Sequence, residues 1–332
     1  VREDAMAQIL LTGASGFVGS HLLRELLHNG HQVRALSRSM SSDQAIVAQG
    51  ALPVRGELTN QDSLIEAATG VQAIFHCAAN TSAWSRDKNT QWDTNVEGTR
   101  RLLHAGERAN IECFIHTSSV SAFSHRVHGT LTEDTPQQGD QSWITYEHSK
   151  FAGEQLVRQS GMPYLIFNPS HVLGPGDTNN WSRLIRLVDQ DKLPGVPPGS
   201  GAFADVREIA KAQLQAWQLG IRNQAFLLGG QHASFLQLVQ LIATLVNRKP
   251  AQRVMPEKLL MLIAQISQGI SYITRRMPQI TPASVVLTSY DLSVDSSKAI
   301  LQLGYKETDL KKLLQDTIVW LQQQNLIRQT LD

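Results

Sequence analysis

The sequence predicts an α/β fold, built as a doubly wound parallel sheet with a smaller, mostly helical C-terminal domain. In the first half of the chain, short and almost continuously apolar runs alternate with stretches of helical spacing. This alternation is typical of parallel strands that helices cover on both faces. After residue 170, turn-rich segments and amphipathic helices replace it, and they contain too few strand-like runs for a second large sheet.

The individual elements follow from the same patterns. The helix at 60–70 is expected to begin with Asn60 as its N-cap. The strands are predicted at 7–13, 31–38, within 46–58, and at 71–79, 111–120 and 162–172. The helices are predicted at 16–30, 60–70, 94–109, 145–161, 206–219, 234–247, 257–273 and 306–326.

Composition limits the class of protein. The chain has 332 residues, 42% of them hydrophobic and 18% charged, with a net charge of +1, so nucleic-acid binding is not expected. No apolar run approaches the ~20 residues of a membrane span. No leader sequence is recognised, so we expect a cytoplasmic protein, with Met6 as the native start after residues 1–5.

Cysteine and histidine content predicts neither a disulfide nor a metal site. Cys77 and Cys113 lie in apolar, strand-like runs, which predicts buried free thiols in a reducing compartment. The 11 histidines form no cluster with metal-ligand spacing.

A glycine loop joins the first strand to the first helix, in the stretch LLTGASGFVGSHLL. Gly13 permits a tight turn, Gly16 allows close approach of a pyrophosphate, and Gly19 allows the helix to pack on the strand. Free N–H groups at the helix start attract phosphate. An ordinary βα turn is the alternative, but the strand–loop–helix context favours dinucleotide binding.

The end of the second strand predicts which dinucleotide is bound. An acid that would hold the ribose 2′-hydroxyl of NAD is missing from residues 34–39, which contain Arg34, Ser37 and Arg38. NADP(H) is therefore favoured over NAD(H), with Arg38 at the strand's end as the phosphate contact. Arg34 is either a second contact or an exposed strand residue.

Residues just past the carboxyl ends of the strands should meet in one cleft, because parallel strands end at the same edge of a sheet. Gly13, Cys77, Ser119 and Pro169 occupy such positions. We therefore expect a Rossmann-type dinucleotide-binding domain at 6–170, to which segments near 203–232 return. A mainly substrate-binding or lid region is expected at 171–330.

The chain resembles the extended short-chain dehydrogenase/reductase family over nearly its whole length. The shared motifs are TGASGFVG at 12–19, GEL at 56–58, FHCAA at 75–79, NVEGT at 95–99, TSS at 117–119, YEHSK at 146–150 and NPSHVLGPGD at 168–177. VRALSR at 33–38 and the segments RRMPQITPASV and DSSKA are similar to the dihydroflavonol-reductase-like and 3β-hydroxysteroid-dehydrogenase-like branch.

The resemblance implies the residues that bind the cofactor, and it makes a homodimer the family-level expectation. Two departures matter: Glu57 stands where the family has Asp to hold the adenine amine, and GAFADVRE at 201–208 lacks the arginine common in sugar-nucleotide enzymes. The implied cofactor residues are Gly13, Ser15, Gly16, Phe17, Val18, Gly19, Arg34, Ser37, Arg38, Glu57, Leu58, Cys77, Ala78, Ala79, Thr117, Tyr146, Lys150, Pro169 and Val172.

Tyr146 and Lys150 are four residues apart, so on a helix they share a face. A neighbouring ammonium favours phenolate and should lower the pKa of the phenol, which can then exchange a proton with a substrate oxygen. Ser119 ends a strand and can donate to a developing oxyanion, whereas strand alternation points Ser118 to the other side. A solvated helix face and a strand-end cap are the non-catalytic alternatives.

Three further polar residues lie in motifs near the predicted catalytic group. By resemblance Asn95 positions Lys150 through water, and a helix-cap role is an equal alternative. Glu147 follows Tyr146 but is expected to point away from it, and His171 is expected to be a pocket-wall or packing residue rather than a base. No other carboxylate suggests lyase chemistry.

The substrate side of the cleft is predicted from residue types alone. Trp217 and Trp320 are expected to be structural, and the apolar stretch at 257–273 is expected to pack on the core, with a lid or a membrane-surface contact as alternatives. The expected pocket walls are Thr81, Trp84, Trp92, Trp143, Ser170 and Trp181, with a structural role as the alternative for each of these tryptophans.

These observations predict an NADP(H)-dependent oxidoreductase that interconverts a hydrophobic ketone or aldehyde and its alcohol, with Tyr146 as acid/base, Lys150 as its tuning partner and Ser119 as oxyanion donor. The first alternative is an NAD-retaining sugar-nucleotide epimerase or dehydratase. The second is a nucleotide-sensing protein without turnover.

Overall fold

The computed structural model describes residues 6–329. The expectation that Met6 is the native start concerns residues 1–5, which lie outside this range. The central element is a seven-stranded parallel sheet with the strand order β10-β7-β5-β4-β1-β2-β3. Its strands are β1 (Gln8–Thr12), β2 (Gln32–Ser37), β3 (Leu52–Arg55), β4 (Ala73–His76), β5 (Cys113–Thr117), β7 (Tyr164–Pro169) and β10 (Gln224–Leu228).

Helices cover both faces of this sheet, because successive strand residues are apolar and point to opposite sides. Ile9 and Leu11 pack on the face that carries α1, α8 and α12, whereas Leu10 packs on the face that carries α3, α5 and α6. The helices are α1 (Phe17–His28), α2 (Met40–Val47), α3 (Gln61–Ala68), α5 (Gly98–Arg108), α6 (Thr145–Gln159), α8 (Val206–Gln218) and α12 (Ser297–Leu303). The doubly wound Rossmann-type fold is thereby confirmed.

The chain after β7 forms a smaller layer beside the carboxyl ends of the strands. Its three-stranded sheet has the order β11-β9-β8, and β12 pairs with β6 in a two-stranded sheet. The elements after β7 are β8 (His171–Leu173), β9 (Ser200–Asp205), β11 (Gln231–Ser234), β12 (Ser293–Val294), α7 (Trp181–Asp189), α9 (Phe235–Leu245), α10 (Glu257–Thr274), α11 (Pro282–Leu287) and α13 (Leu310–Gln323). Two short elements precede β7, namely α4 (Lys88–Trp92) and β6 (Thr130–Leu131). The division near residue 170 remains a prediction.

Local sequence accounts for several boundaries. Asn60 caps α3 as expected, since its side-chain oxygen accepts from the Ser63 N–H at 3.1 Å. The helix expected at 94–109 differs: residues Asp93–Glu97 form a π-helical turn before α5 begins at Gly98. Within residues 6–329, no helix has the length and apolar character needed to cross a membrane.

Candidate active site

The glycine loop lies where β1, β4 and α1 meet. Gly13 has a φ of +76°, and a Cβ there would lie 2.7 Å from the backbone nitrogen of Ala78. A Cβ at Gly19 would lie 2.0 Å from the carbonyl oxygen of Gly13. Side chains at either position would separate the loop from β4 or from α1, so glycine is required at both.

The start of α1 fits a dinucleotide pyrophosphate. Gly16 precedes the helix, and no side chain in the described part of the chain caps the first turn. A Cβ at Gly16 would lie 3.1 Å from the Gly13 carbonyl oxygen. Uncapped N–H groups and the positive end of the helix dipole attract an anion. Ser15 and Gly16 are exposed, with Phe17 and Val18 partly buried beside them, so the cradle is open to a ligand.

A buried chain of hydrogen bonds connects this loop to the π-helical turn. The Ala78 N–H donates to Thr12 Oγ1 at 3.3 Å, and Thr12 contacts His76 Nδ1 at 2.7 Å. His76 Nε2 contacts Thr99 Oγ1 at 3.0 Å, and that hydroxyl donates to the Asn95 carbonyl at 2.8 Å. Burial lowers the pKa of His76 to about 3, so its ring is neutral and donates through Nε2.

Sequence reasoning did not single out Thr12, His76 or Thr99. The signal was present, since Thr12 and His76 are polar residues that end otherwise apolar strands. Their role depends on partners from distant segments, so only the folded chain reveals it.

Asn95 holds the backbone of Asn80, which follows β4. Its side chain accepts from the Asn80 N–H at 2.8 Å, donates to the Asn80 carbonyl at 2.9 Å, and donates to Ser149 Oγ at 3.0 Å. The helix-cap alternative is therefore wrong, because Asn95 lies inside the π-helical turn and its side chain caps no helix. Ser149 precedes Lys150 on α6, so Asn95 joins that helix to the loop after β4.

The two arginines of β2 have different surroundings. Arg34 donates to the Thr69 carbonyl at 2.7 Å and to Gln8 Oε1 at 3.0 Å. Gln8 begins β1, so this guanidinium lies at the amino edge of the sheet, opposite the glycine loop. The expectation that Arg34 reaches the cofactor is therefore wrong. Arg38 follows the carboxyl end of β2, and its side chain is exposed with no hydrogen-bond partner within residues 6–329.

Several other residues that we expect to contact the cofactor lie, like Arg38, at the carboxyl edge of the sheet. Ser37 is buried and donates to the Ser39 carbonyl at 3.2 Å. Glu57 is exposed and accepts from Thr59 Oγ1 at 3.1 Å, while Leu58 packs under Gly98. Both cysteines are free, as predicted; Cys113 is buried and Cys77 partly buried.

A short chain of polar contacts lies at the ends of β4 and β5. Cys77 Sγ lies 3.1 Å from Thr117 Oγ1, which donates to Gln213 Oε1 at 3.0 Å. Burial raises the pKa of Cys77 to about 11, so the thiol is neutral. Ala78 and Ala79, just beyond, range from partly buried to exposed and border the cleft.

Lys150 is buried on α6 and reaches the end of β5. Its ammonium donates to the Thr117 carbonyl at 2.9 Å. Burial lowers the pKa of Lys150 to about 8, and the negative charge of Glu154 acts in the opposite direction. The ammonium is thus held at the junction of α6 and β5, where loss of solvent destabilises its charged form.

Tyr146 is partly buried one turn earlier on α6. Burial raises the pKa of its phenol, and interaction with the Ser119 side chain acts in the opposite direction. The lowering expected from Lys150 together with an oxidised nicotinamide ring concerns the cofactor complex and stays a prediction; in the protein alone, desolvation is the largest influence on this pKa. The phenol is therefore a neutral proton donor at neutral pH.

Ser119 and Ser118 face opposite sides of β5, as strand alternation predicts. The Ser119 hydroxyl is on the Tyr146 side and accepts from the Ser121 N–H at 3.1 Å. Ser118 instead donates to Glu154 at 2.7 Å. Glu154 is fully buried and also accepts from Asn168 at 2.7 Å, and Asn168 in turn donates to the Ser119 carbonyl at 3.1 Å.

Glu147 and His171 take no part in this cluster. Glu147 is fully buried and accepts from the Ser124 hydroxyl and the His125 N–H, so it points away from the phenol as expected. Burial lowers the pKa of His171 to about 4. The centroid of its ring lies 4.7 Å from the centroid of the Trp181 ring. His171 is a neutral packing residue beside Val172.

The residues proposed for the pocket wall have separate environments. Trp84 Nε1 donates to Ser271 Oγ of α10 at 3.1 Å, and Trp143 is 58% exposed just before α6. Thr81 is exposed. Ser170, which follows the buried Pro169, has its hydroxyl donating to the Ala202 carbonyl at 2.8 Å, so this donor is already used.

The other tryptophans pack against aromatic or apolar groups. Trp92 contacts the His148 ring edge-on, and Trp181 stacks on Phe235. Trp217 packs on Phe75, and Trp320 packs on the apolar cluster around α9 and α13, as expected of structural residues.

Replacing Lys150 with Met should stabilise the protein without cofactor by about 1–3 kcal/mol at pH 7, because burying the ammonium is costly. The folded pKa is about 8 and the ordinary value 10.5, so the unfolded chain binds more protons between them. Wild-type stability should therefore rise with pH across that window, and the variant's advantage should shrink. Urea unfolding from pH 7 to 10.5 measures this.

The exposed Lys306 provides the control, since Lys306→Met should leave the pH dependence of unfolding unchanged. A Lys150→Met variant less stable than wild type at pH 7 would show that the Thr117 contact outweighs desolvation.

The sheet, the glycine cradle and the cluster of Ser119, Tyr146 and Lys150 define the class of the chain as an extended short-chain dehydrogenase/reductase. Sequence comparison agrees, since the profile of the NAD dependent epimerase/dehydratase family matches residues 9–229. The chain belongs to this family, whose members depend on a nicotinamide dinucleotide.

Individual relatives match over nearly the whole chain. A protein of Synechocystis sp. called putative dihydroflavonol 4-reductase is 30% identical, covering 98% of this chain and 97% of that protein. Sterol demethylase protein B of Methylococcus capsulatus is 28% identical, covering 96% and 99%. The crystal structure of gox2253 superposes with a TM-score of 0.81 at 29% identity, covering 97% and 100%.

Proposed function

We propose that the chain is an NADP(H)-dependent oxidoreductase that interconverts a hydrophobic ketone or aldehyde and its alcohol. The observation that supports this most directly is the placement of Ser119, Tyr146 and Lys150. The three residues converge at the end of β5, beside the loop that joins β1 to α1. Such a cluster beside a dinucleotide cradle fits carbonyl reduction.

Each of the three side chains has a distinct role in this mechanism. The bound dinucleotide supplies or accepts the hydride. Tyr146 donates a proton to the carbonyl oxygen during reduction, which fits a phenol whose pKa is raised by burial. Ser119 donates a hydrogen bond to the same oxygen as negative charge develops, and Lys150 provides a nearby positive charge that favours the phenolate left behind.

Several residues would hold the dinucleotide. The N–H groups at the start of α1 would bind the pyrophosphate, and Gly13, Gly16 and Gly19 would let it approach. Cys77, Ala78 and Ala79 would border it after β4, with Pro169 and Val172 bordering it after β7. Glu57 and Leu58 follow β3, where they would meet the adenine end.

The preference for NADP(H) rests on Arg38. Its exposed guanidinium lies just after β2, beside Ser37 and the start of α2, and residues 34–39 include no acid. A guanidinium binds a ribose 2′-phosphate through charge-assisted hydrogen bonds. The family's description names NAD and not NADP. The preference for NADP(H) is therefore a property that we propose for this chain in particular.

Arg38→Ala should lower kcat/KM for NADPH by about 10- to 100-fold and change that for NADH little, because a charge-assisted contact to the phosphate is lost. Initial rates at varied concentrations of each cofactor measure the effect. Arg34→Ala is the matched control, since Arg34 is bound to Thr69 and Gln8. An equal loss with both cofactors would argue that Arg38 is structural.

The preference for a hydrophobic substrate is supported by the aromatic residues around the cleft. Trp143 is exposed beside the start of α6, and Trp84 lies in the loop after β4. The names of two relatives refer to a dihydroflavonol and a sterol, both largely apolar molecules. We therefore infer a substrate without a charged anchor.

The second candidate is an NAD-retaining epimerase or dehydratase acting on a sugar nucleotide, which the family's description favours. It predicts a bound cofactor that is regenerated in each turnover. Purified protein should therefore be assayed for NADPH and NADH oxidation with a panel of apolar ketones, and for conversion of UDP-sugars. Net NADPH consumption with a ketone supports our proposal, and sugar conversion without cofactor consumption contradicts it.

A further inference from the structure

Helix α10 exposes an apolar face. Its inner side packs through Leu260 and Ala264 against Val285 of α11. Its opposite side carries five large apolar residues that are 46% to 86% exposed. We call these residues the outer stripe: Leu259, Leu262, Ile266, Ile270 and Ile273.

The spacing of the outer stripe places its members on one side of the helix, since they recur every three or four residues. Met277, 55% exposed, extends the apolar surface beyond the end of α10. The expectation that residues 257–273 pack on the core is thus wrong for half of the helix. Five aligned and exposed residues indicate a surface that contacts a partner.

Positive charge flanks the stripe at both ends. Arg253 and Lys258 are exposed near its start, and Arg275 and Arg276 are exposed after its end. Glu257 is the one acidic residue in segment 252–279. A second copy of the same face would bring like charges together, whereas an anionic surface would complement them.

The helix also borders the candidate active site. Trp84 of the loop after β4 donates to Ser271, and Ser85 Oγ lies 2.7 Å from the Tyr272 hydroxyl. On the far side, Arg183 of α7 donates to the Gln279 carbonyl at 2.9 Å. The first two contacts fix the C-terminal part of α10 against the loop after β4, the same loop that contains Ala78 and Ala79.

We propose that the outer stripe docks this protein on the surface of an anionic lipid bilayer. The five apolar side chains enter the boundary between headgroups and acyl chains, while the flanking arginines and Lys258 pair with lipid phosphates. The helix lies in the plane of the surface. Docking would place the cleft beside the bilayer, in which an apolar substrate would dissolve. The proposed docking itself does not depend on the proposed function.

The test is flotation of the full chain with phosphatidylcholine vesicles and with vesicles that also contain phosphatidylglycerol. Wild type should float with the anionic vesicles, less so at high salt. The double variant Ile266→Glu/Ile270→Glu should reduce binding by about tenfold or more, because two apolar groups that enter the bilayer are replaced by charges that the anionic surface repels. Both positions are exposed, so the fold should persist.

The matched control is Leu301→Glu/Val319→Glu, which alters exposed apolar residues on α12 and α13 and should leave vesicle binding unchanged. Failure of wild type to float with anionic vesicles would overturn the proposal, as would an equal loss in the control. A dimer in light scattering that Ile266→Glu/Ile270→Glu dissociates, without vesicle binding by wild type, would assign the stripe to a second copy instead.

Discussion

Tyr146→Phe should lower kcat for ketone reduction by about 10²- to 10⁴-fold, the usual contribution of a positioned general acid. The substitution removes only the hydroxyl, and the ring keeps its place on α6. Because the pKa of this phenol is raised by burial, it is protonated at neutral pH and ready to donate. Single-turnover reduction followed by NADPH absorbance measures the loss.

Cofactor binding should survive this substitution, because the glycine cradle and Lys150 are unchanged. NADPH affinity measured by fluorescence quenching should therefore match that of wild type. Tyr164→Phe, at the amino end of β7 and so at the edge of the sheet opposite the candidate site, makes the same chemical change as a control and should retain activity. Unchanged turnover in Tyr146→Phe would refute the proposed mechanism.

Ser119→Ala should lower kcat by about 10²- to 10³-fold, the typical cost of losing one oxyanion donor. Its hydroxyl interacts with Tyr146, and its backbone is fixed because Asn168 donates to its carbonyl. Removal of the hydroxyl leaves the Asn168 contact in place and loses the bond from the Ser121 N–H, so the main catalytic effect should be the missing hydrogen bond to the developing negative charge. The loss should appear in kcat rather than in the KM for NADPH.

Ser118→Ala is the neighbouring control. Its hydroxyl donates to the buried Glu154, so the variant should lose roughly 1 kcal/mol of stability and keep most of its activity. A comparable loss of kcat in both variants would mean that Ser119 acts by supporting the fold. Thermal unfolding of the two variants, measured with the kinetics, separates these outcomes.

Local patterns were sufficient to predict the framework of this protein. The apolar runs predicted six strands of the central sheet, because a strand covered on both faces has little room for polar residues. The inner strands β4 and β5 are buried throughout, whereas the edge strand β3 has no fully buried residue. The parallel arrangement then predicted that Gly13, Cys77 and Ser119 follow strands at one edge. Helical elements with weaker patterns, such as α7 and α12, were not predicted.

Long side chains could not be placed from the sequence. Arg34 and Arg38 lie in the same short stretch, yet Arg34 reaches Thr69 at the amino edge while Arg38 is exposed after the carboxyl edge. Asn95 clamps Asn80 because a π-helical turn orients it, and no local signal distinguishes that from a cap. These outcomes depend on partners that are far apart in the chain.

The sequence by itself determined the sheet, the glycine loop and the shared helix face of Tyr146 and Lys150, because these follow from steric limits and repeat distances within a few residues. Only the tertiary structure decided the charge states in the cluster and the exposure of the outer stripe on α10. Desolvation and burial depend on every neighbouring segment, so burial raises the pKa of Tyr146 even though a lysine follows one turn later.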